Sequence, residues 1–164
     1  LEWKAEAGDP SDPDEYLAMV TGIIGAEVSR AEWVRIRAES THARPAALDA
    51  VRRAAELGRV ALLTNNGILI HHHLHEVAPE LVPIMGREHM HASAAFGARK
   101  PDPVVYERII AHYGATADRT FFTDDRTENI EGAESIGVTG HLYRDEASLL
   151  AAIEAFAAEA EEAA

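Results

Sequence analysis

With 164 residues, 47% of them apolar, the chain is long enough for one domain with a substantial core, or for a domain with a small lid. Its formal net charge of −13 argues against a nucleic-acid partner, because no basic patch offsets the excess of acids. Cysteine is absent, which excludes disulfides and thiol chemistry and is typical of a reducing, cytoplasmic setting. No apolar run approaches the ~20 residues of a membrane span, so we expect no membrane partner.

The N-terminal part is predicted to be a loop followed by two helices. Residues 1–14 combine glycine, prolines and acids, as loops do. Asp12 or Ser11 can cap a first helix, and Ser29 opens a capping-box pattern for a second. No strand pattern follows before the next helix. We therefore expect residues 11–44 to form a small helical cap.

The remaining chain, residues 45–164, alternates strand and helix patterns. The predicted strands are residues 60–64, 90–95, 120–123 and 138–143. The predicted helices begin at Pro45, Pro103, Thr127 and Glu146, and part of 68–83 is also helical. This alternation predicts an α/β fold with a Rossmann-like parallel sheet covered by helices on both faces.

Polar side chains follow the ends of two predicted strands. Thr64 and Asn65 end one strand, Asp124 and Asp125 end another, and Lys100 lies in a loop just before a helix. Because parallel strands present their carboxyl ends at one edge of the sheet, these groups are expected to face a single ligand there. Adjacent carboxylates favour a divalent cation, and Mg²⁺ binds through one or two carboxylates plus water and phosphate.

Each of these features also has a purely structural interpretation. The acidic pair could mark a helix start capped by Asp125 or Thr127. Lys100 could be an ordinary surface lysine, and Thr64 could simply precede an Asn-Gly turn. Their order and spacing, taken together, favour the site.

The order Thr, Lys, Asp-Asp, each at the end of its element, resembles the haloacid dehalogenase-like (HAD) hydrolase superfamily. The most specific segments are residues 99–106 and 121–133, and the resemblance runs from about Pro45 to Tyr143. The pattern is similar to the subgroup with a short helical cap inserted early, which includes the phosphatase-like domain of epoxide hydrolases. In that group an asparagine orients the loop after the acidic pair, and it corresponds to Asn129.

The resemblance implies a magnesium-dependent phosphatase acting on a small phosphorylated substrate. Thr64 and Asn65 would bind the transferring phosphoryl group, and Lys100 would neutralise charge on the nucleophile and the phosphate. Asp124 and Asp125 would hold Mg²⁺. In the family a phosphoaspartate forms and water then cleaves it. A dehalogenase is less favoured, because dehalogenation does not need the metal that the acidic pair suits.

The chain departs from the family pattern at the nucleophile. Family members carry Asp-x-Asp at the end of an apolar strand. In the family fold this strand lies at the centre of the sheet, between the strands that correspond to those ending at Thr64 and Asp124. The only Asp-x-Asp here, Asp12-Pro13-Asp14, follows no strand, and we reject it. A segment before Leu1, another chain or a closed, non-catalytic sheet could account for this. We expect the first, since Leu1 is not Met, and we expect the chain as given to be inactive.

Three other hypotheses compete with this one. A non-catalytic HAD-like module could bind a phosphorylated ligand or a protein partner. Response-regulator receivers use similar residues, but their acidic pair comes early and their lysine last, which is the reverse of this order. His71 with His75, and His89 with His91, share predicted faces and could form a Zn²⁺ site, with surface histidines as the plainer alternative.

Neither the substrate nor the oligomeric state can be read from the sequence, and a homo-oligomer is left open. Residues of the predicted cap would choose the substrate. By position alone, the candidates are Trp33, Arg37 and His42.

Overall fold

Helices and short parallel strands alternate along the chain in a computed structural model, which describes residues 2–162. The α-helices are α1 (Glu2–Glu6), α2 (Pro13–Ile24), α3 (Arg30–Glu39), α4 (Pro45–Leu57), α5 (Ile68–Val77), α6 (Val82–Met85), α7 (Pro103–His112), α8 (Thr127–Glu134) and α9 (Glu146–Glu162). The strands are β1 (Leu62–Thr64), β2 (Met90–Ala92), β3 (Phe121–Asp124) and β4 (Thr139–Leu142). The α/β class predicted from the sequence is confirmed.

Helices α2 and α3 begin where their capping residues predict. The Asp12 carboxylate accepts hydrogen bonds from the backbone N–H groups of Asp14 and Glu15, at 2.8 and 3.0 Å. Ser29 and Glu32 form the reciprocal capping box that starts α3. Local hydrogen bonding thus accounts for both starts.

The prediction of a loop over residues 1–14 is wrong for its first part, where α1 forms. Tertiary contacts hold this short helix. The Ser93 hydroxyl donates to the Glu6 carbonyl at 2.7 Å, and Arg99 pairs with the Glu6 carboxylate at 2.6 Å. Isolated helices of this length are unstable in water, so no local pattern would indicate it.

The strands of residues 2–162 form two separate parallel pairs rather than one continuous sheet. Strand β1 pairs with β2, and β3 pairs with β4. No described strand joins β1 to β3, so each of them keeps one edge without a ladder partner. This opening lies where the family resemblance predicts the nucleophile strand.

Strand β1 lies between two apolar clusters, and its alternating side chains pack into one or the other. Leu62 packs against the cluster built from α5 and β2, which includes Ile70 and Leu74. Leu63 packs on the opposite side with Val105 of α7 and Phe122 of β3. Helices therefore cover both faces of the strands, as predicted. Within the described part of the chain, no helix has both the length and the apolarity needed to cross a bilayer.

Candidate active site

Lys100 spans the opening between β1 and β3. Its Nζ donates to the Leu63 carbonyl at 2.9 Å and to Asp124 Oδ2 at 2.6 Å, and it lies 5.4 Å from the centre of the Phe122 ring. The side chains of Lys100 and Asp124 are only 9% and 8% exposed. The alternative that Lys100 is a surface lysine is therefore wrong.

The backbone of Lys100 is held by the side chain of Asn65. The Lys100 N–H donates to Asn65 Oδ1, and Asn65 Nδ2 donates to the Lys100 carbonyl, both at 2.9 Å. Asn65 follows β1 directly, so this amide ties the loop of Lys100 to the end of that strand. This contact was not predicted from the sequence, although the position of Asn65 beside Thr64 marked it as a site residue.

Asp124 is the most heavily hydrogen-bonded acid of the site. Its Oδ1 accepts from Asn129 Nδ2 at 2.9 Å and from the Arg126 N–H at 3.0 Å. Burial opposes ionisation, but the hydrogen bonds from Lys100 and Asn129 outweigh it, and the pKa of Asp124 lies below its ordinary value. Asp124 is thus held as a carboxylate.

Asp125 is exposed beside Asp124. Helix α8 does begin directly after the acidic pair, at Thr127, but the interpretation that Asp125 or Thr127 caps it is wrong. Helix α8 has Arg126 as its N-cap residue and no side-chain cap hydrogen bond. The exposed Asp125 carboxylate is accordingly available beside the buried one.

Thr64 joins a polar chain that reaches α3. Its Oγ1 accepts from Asn66 Nδ2 at 2.9 Å, and Asn66 Oδ1 accepts from an Arg37 guanidinium nitrogen at 2.9 Å. Asn66 was not predicted to be a site residue. Its place after Thr64-Asn65 at a strand end was the available signal. This network connects the end of β1 to the helix that carries Arg37.

The structure brings Thr64, Lys100 and Asp124 together at the carboxyl ends of β1 and β3. Lys100 provides the link, because its Nζ binds the residue before Thr64 and the side chain of Asp124. An ammonium and a carboxylate are thus in direct contact, and the ammonium also binds the residue next along the chain to Thr64, which carries the hydroxyl. Their chemical roles stay predictions.

A family model for haloacid dehalogenase-like hydrolases matches residues 2–137. The chain belongs to this family. The match covers most of the chain, including Thr64, Lys100 and the acidic pair.

Three curated relatives of this HAD-like chain carry hydrolase names. Phosphatase MT3486 from Mycobacterium tuberculosis is 28% identical over 123 residues, which cover 71% of this chain and 51% of that protein. Sesquiterpene phosphatase astK from Aspergillus oryzae is 42% identical over 52 residues, 31% of this chain and 26% of that protein. Flavin mononucleotide hydrolase 1 from Arabidopsis thaliana is 37% identical over 57 residues, 35% of this chain and 23% of that protein. The chain spans about half, or less, of the length of these relatives.

A solved HAD family enzyme from Bacteroides thetaiotaomicron has the same fold. It is 20% identical, with a TM-score of 0.62 over 86% of this chain and 74% of that one. That enzyme was crystallised as a variant in complex with magnesium and inorganic phosphate.

The acidic pair of this HAD-like chain suits Mg²⁺ better than a metal enclosed by protein ligands. Among residues 2–162, no group of three or more His, Asp or Glu side chains is arranged to hold a metal. Two carboxylates, from Asp124 and Asp125, meet what Mg²⁺ requires when phosphate and water complete its shell. The same finding leaves the Zn²⁺ hypothesis for the histidines without support.

The only Asp-x-Asp of the sequence has structural tasks in this HAD-like chain. Asp12 caps α2 through its carboxylate, and Asp14 forms an ion pair with Arg30 of α3. Both carboxylates lie on helical elements rather than at a strand end. These contacts agree with their rejection as the nucleophile pair.

His89, His91 and His112 surround Tyr113. His91 is 7% exposed, and its Nε2 lies 2.6 Å from the Tyr113 hydroxyl, which His89 Nδ1 also approaches at 3.1 Å. Burial, with the nearby His71, His112 and His89, lowers the pKa of His91 to about 4. His91 is therefore neutral in the folded chain at neutral pH.

We expect the free energy of unfolding to fall as pH drops below the ordinary His pKa of 6.5. In this range His91 binds a proton in the unfolded chain but stays neutral in the folded one. From about pH 7.5 to about pH 5, the loss attributable to His91 is about 2 kcal/mol of unfolding free energy. Urea unfolding at the two pH values measures it. His91→Gln should reduce the loss, whereas the exposed control His42→Gln should not. Equal losses in wild type and His91→Gln would contradict the assignment.

Proposed function

We propose that the chain is part of a Mg²⁺-dependent phosphatase, which cleaves a small phosphate ester through a phosphoaspartate. The observation that carries this proposal is the buried Lys100–Asp124 pair at the open edges of β1 and β3. Burying a lysine and a carboxylate costs several kcal/mol of desolvation per ion unless their contacts compensate, so a fold gains little stability from such a pair. Its place at a strand-end site favours a functional purpose.

The roles follow from the chemistry of each group. Thr64 Oγ1 and the backbone N–H groups after it would bind phosphoryl oxygens, and Lys100 Nζ would neutralise the charge that builds up there. Asp124 and Asp125 would hold Mg²⁺, which supplies further charge neutralisation on the phosphate. Asn65 and Asn129 would position Lys100 and Asp124, respectively, through the contacts described above.

The nucleophile is proposed to lie outside residues 2–162, on a strand between β1 and β3. Such a strand would pair with both open edges, and unpaired backbone groups at a buried edge are costly. Its carboxyl end would reach the level of Lys100. On this proposal the chain as given does not form a phosphoaspartate.

The names of the relatives support phosphate esters without fixing the substrate. One name specifies a sesquiterpene phosphatase and another a flavin mononucleotide hydrolase. These compounds differ in everything except the phosphate. The organic part of the substrate therefore has to be argued from this chain itself.

A phosphatase assay on two proteins tests the proposal. The chain as given should not release phosphate from p-nitrophenyl phosphate above the background of its Lys100→Ala variant. The product of the same gene with its coding sequence read upstream of Leu1 should contain an apolar run ending in Asp-x-Asp. That product should turn over at least about 10³-fold above background, and chelation of Mg²⁺ should abolish turnover.

Two outcomes would contradict it. Turnover by the chain alone would show that the nucleophile lies within it. An upstream sequence without Asp-x-Asp, together with Mg²⁺-dependent binding of inorganic phosphate, would favour the non-catalytic phosphate-binding module instead.

A further inference from the structure

A groove of about 380 Å³ lies between α4 and α5, above β1. Aliphatic side chains from both helices, the strand and the turn after α5 form most of its walls; they include Leu48, Val51, Leu62, Ile70, Leu74 and Leu81. Few groups there could replace the hydrogen bonds of a sugar or another polyol. The walls therefore suit a hydrocarbon chain.

One end of this groove reaches Thr64, the residue of the proposed phosphate site that also lines the groove. Thr64 and Asn66 line it at the start of α5, whereas Val77 and Leu81 line it at the other end of that helix. The 10 residues of α5 span about 15 Å, so the groove leads well away from Thr64. A ligand with its phosphate at Thr64 would direct its organic part along the aliphatic walls.

Cationic side chains gather at the Thr64 end. Arg37 and Arg44 line the groove there, while the acid in its lining, Glu80, lies beyond the far end of α5. In a chain with a net charge of −13, this local excess of basic groups is distinctive. It complements an anionic head group rather than a cationic one.

Arg37 is the most informative of these cations. It is half-buried, it donates to Asn66 Oδ1 at 2.9 Å, and its Nε has no hydrogen-bond partner among the described residues. It forms no ion pair with any of residues 2–162. A partly desolvated arginine without a carboxylate is costly unless an anion arrives, and its bidentate fork suits phosphate oxygens.

We propose that the substrate is an amphiphilic phosphate ester, whose aliphatic chain lies in the groove between α4 and α5 and whose phosphate is contacted by Arg37. This rests on the proposed function, because it takes the phosphate to bind at Thr64. Arg37 acts as a specificity residue, since it touches the head group of a ligand whose tail the groove selects. Each methylene that leaves water for the groove should tighten binding by up to about fourfold.

Calorimetric titration of the chain with four compounds in the presence of Mg²⁺ tests the proposal. The compounds are inorganic phosphate, ethyl phosphate, octyl phosphate and octanol. Octyl phosphate should bind at least about 100-fold more tightly than ethyl phosphate, and more tightly than octanol. This comparison needs no variant, so it does not depend on any variant folding.

Two matched pairs of variants locate the contacts. Leu48→Trp should fill the groove and remove most of the advantage of octyl over ethyl phosphate, whereas Leu150→Trp, exposed on α9, should not. Arg37→Gln should weaken octyl phosphate at least about 10-fold and leave octanol unchanged. Arg35→Gln on the same helix, where Arg35 already pairs with Glu39, should leave both unchanged.

The outcomes separate the two proposals. Equal binding of octyl and ethyl phosphate, with inorganic phosphate also bound, would overturn the groove proposal and leave the phosphatase proposal standing. The link between the groove and the phosphate site would be overturned if octanol bound as tightly as octyl phosphate and Arg37→Gln did not weaken the binding of octyl phosphate. If none of the phosphates binds, both proposals fail.

Discussion

Replacing Lys100 with methionine is expected to lower the free energy of unfolding by about 3–5 kcal/mol. The variant leaves the Asp124 carboxylate, 8% exposed, without the ammonium that lies 2.6 Å away. It also removes the hydrogen bond to the Leu63 carbonyl. Most of the loss comes from the buried Asp124 carboxylate, which no longer has a cationic partner. Urea unfolding at neutral pH, where this carboxylate is charged, measures the loss.

Two comparisons make this expectation specific. Arg35→Met breaks the exposed pair with Glu39, whose side chains are 59% and 63% exposed, and should cost less than about 1 kcal/mol. Adding Asp124→Asn to Lys100→Met removes the unpaired charge and should restore part of the lost stability. If Lys100→Met costs no more than Arg35→Met, the pair is not buried as described.

The second large effect is expected at Gly132, where α8 lies against the loop after Lys100. A Cβ at this position would stand 2.2 Å from the Pro101 carbonyl oxygen and 3.0 Å from its carbonyl carbon. Both atoms belong to the backbone, so relief requires moving either the helix or the loop that positions Lys100. We expect Gly132→Ala to cost about 3 kcal/mol by urea unfolding, although alanine is otherwise the better helix former.

Gly22→Ala in α2 is the matched control. A Cβ there meets no atom within 4 Å, so this variant should gain about 0.5–1 kcal/mol from helix propensity alone. The expected result is that Gly132→Ala lowers the free energy of unfolding and Gly22→Ala raises it. A stabilising Gly132→Ala would mean that α8 and the Pro101 loop are further apart than the structure places them.

Several helix boundaries were predictable because their signals are local. Asp12 accepts from backbone groups two and three residues ahead, and Ser29 pairs with Glu32 within one turn. Gly25 ends α2 with φ of 73°, in the left-handed region that glycine adopts without steric cost. These hydrogen bonds and backbone dihedrals depend only on which residues stand a few positions apart. They can therefore be predicted from the sequence alone.

The architecture was predictable only in part. Alternation of apolar patterns indicated parallel strands covered by helices, and the family comparison agrees with that class. The split into two strand pairs, and helix α1 against Ser93 and Arg99, required the structure. Both features depend on which distant segments meet, and periodicity within one segment carries no information about that.

By itself, the sequence determined the kinds of groups at the candidate site and their order, because strand ends and polar residues coincide along the chain. Only the tertiary structure decided that Lys100 is a buried bridge, that Asn65 clamps it, and that Asn66 links Thr64 to Arg37. Most of these contacts join residues far apart in the chain; Lys100 and Asn65 are 35 positions apart, and Arg37 and Asn66 are 29 apart. Their energies depend on burial and on distances of about 3 Å, which arise only when the chain has folded.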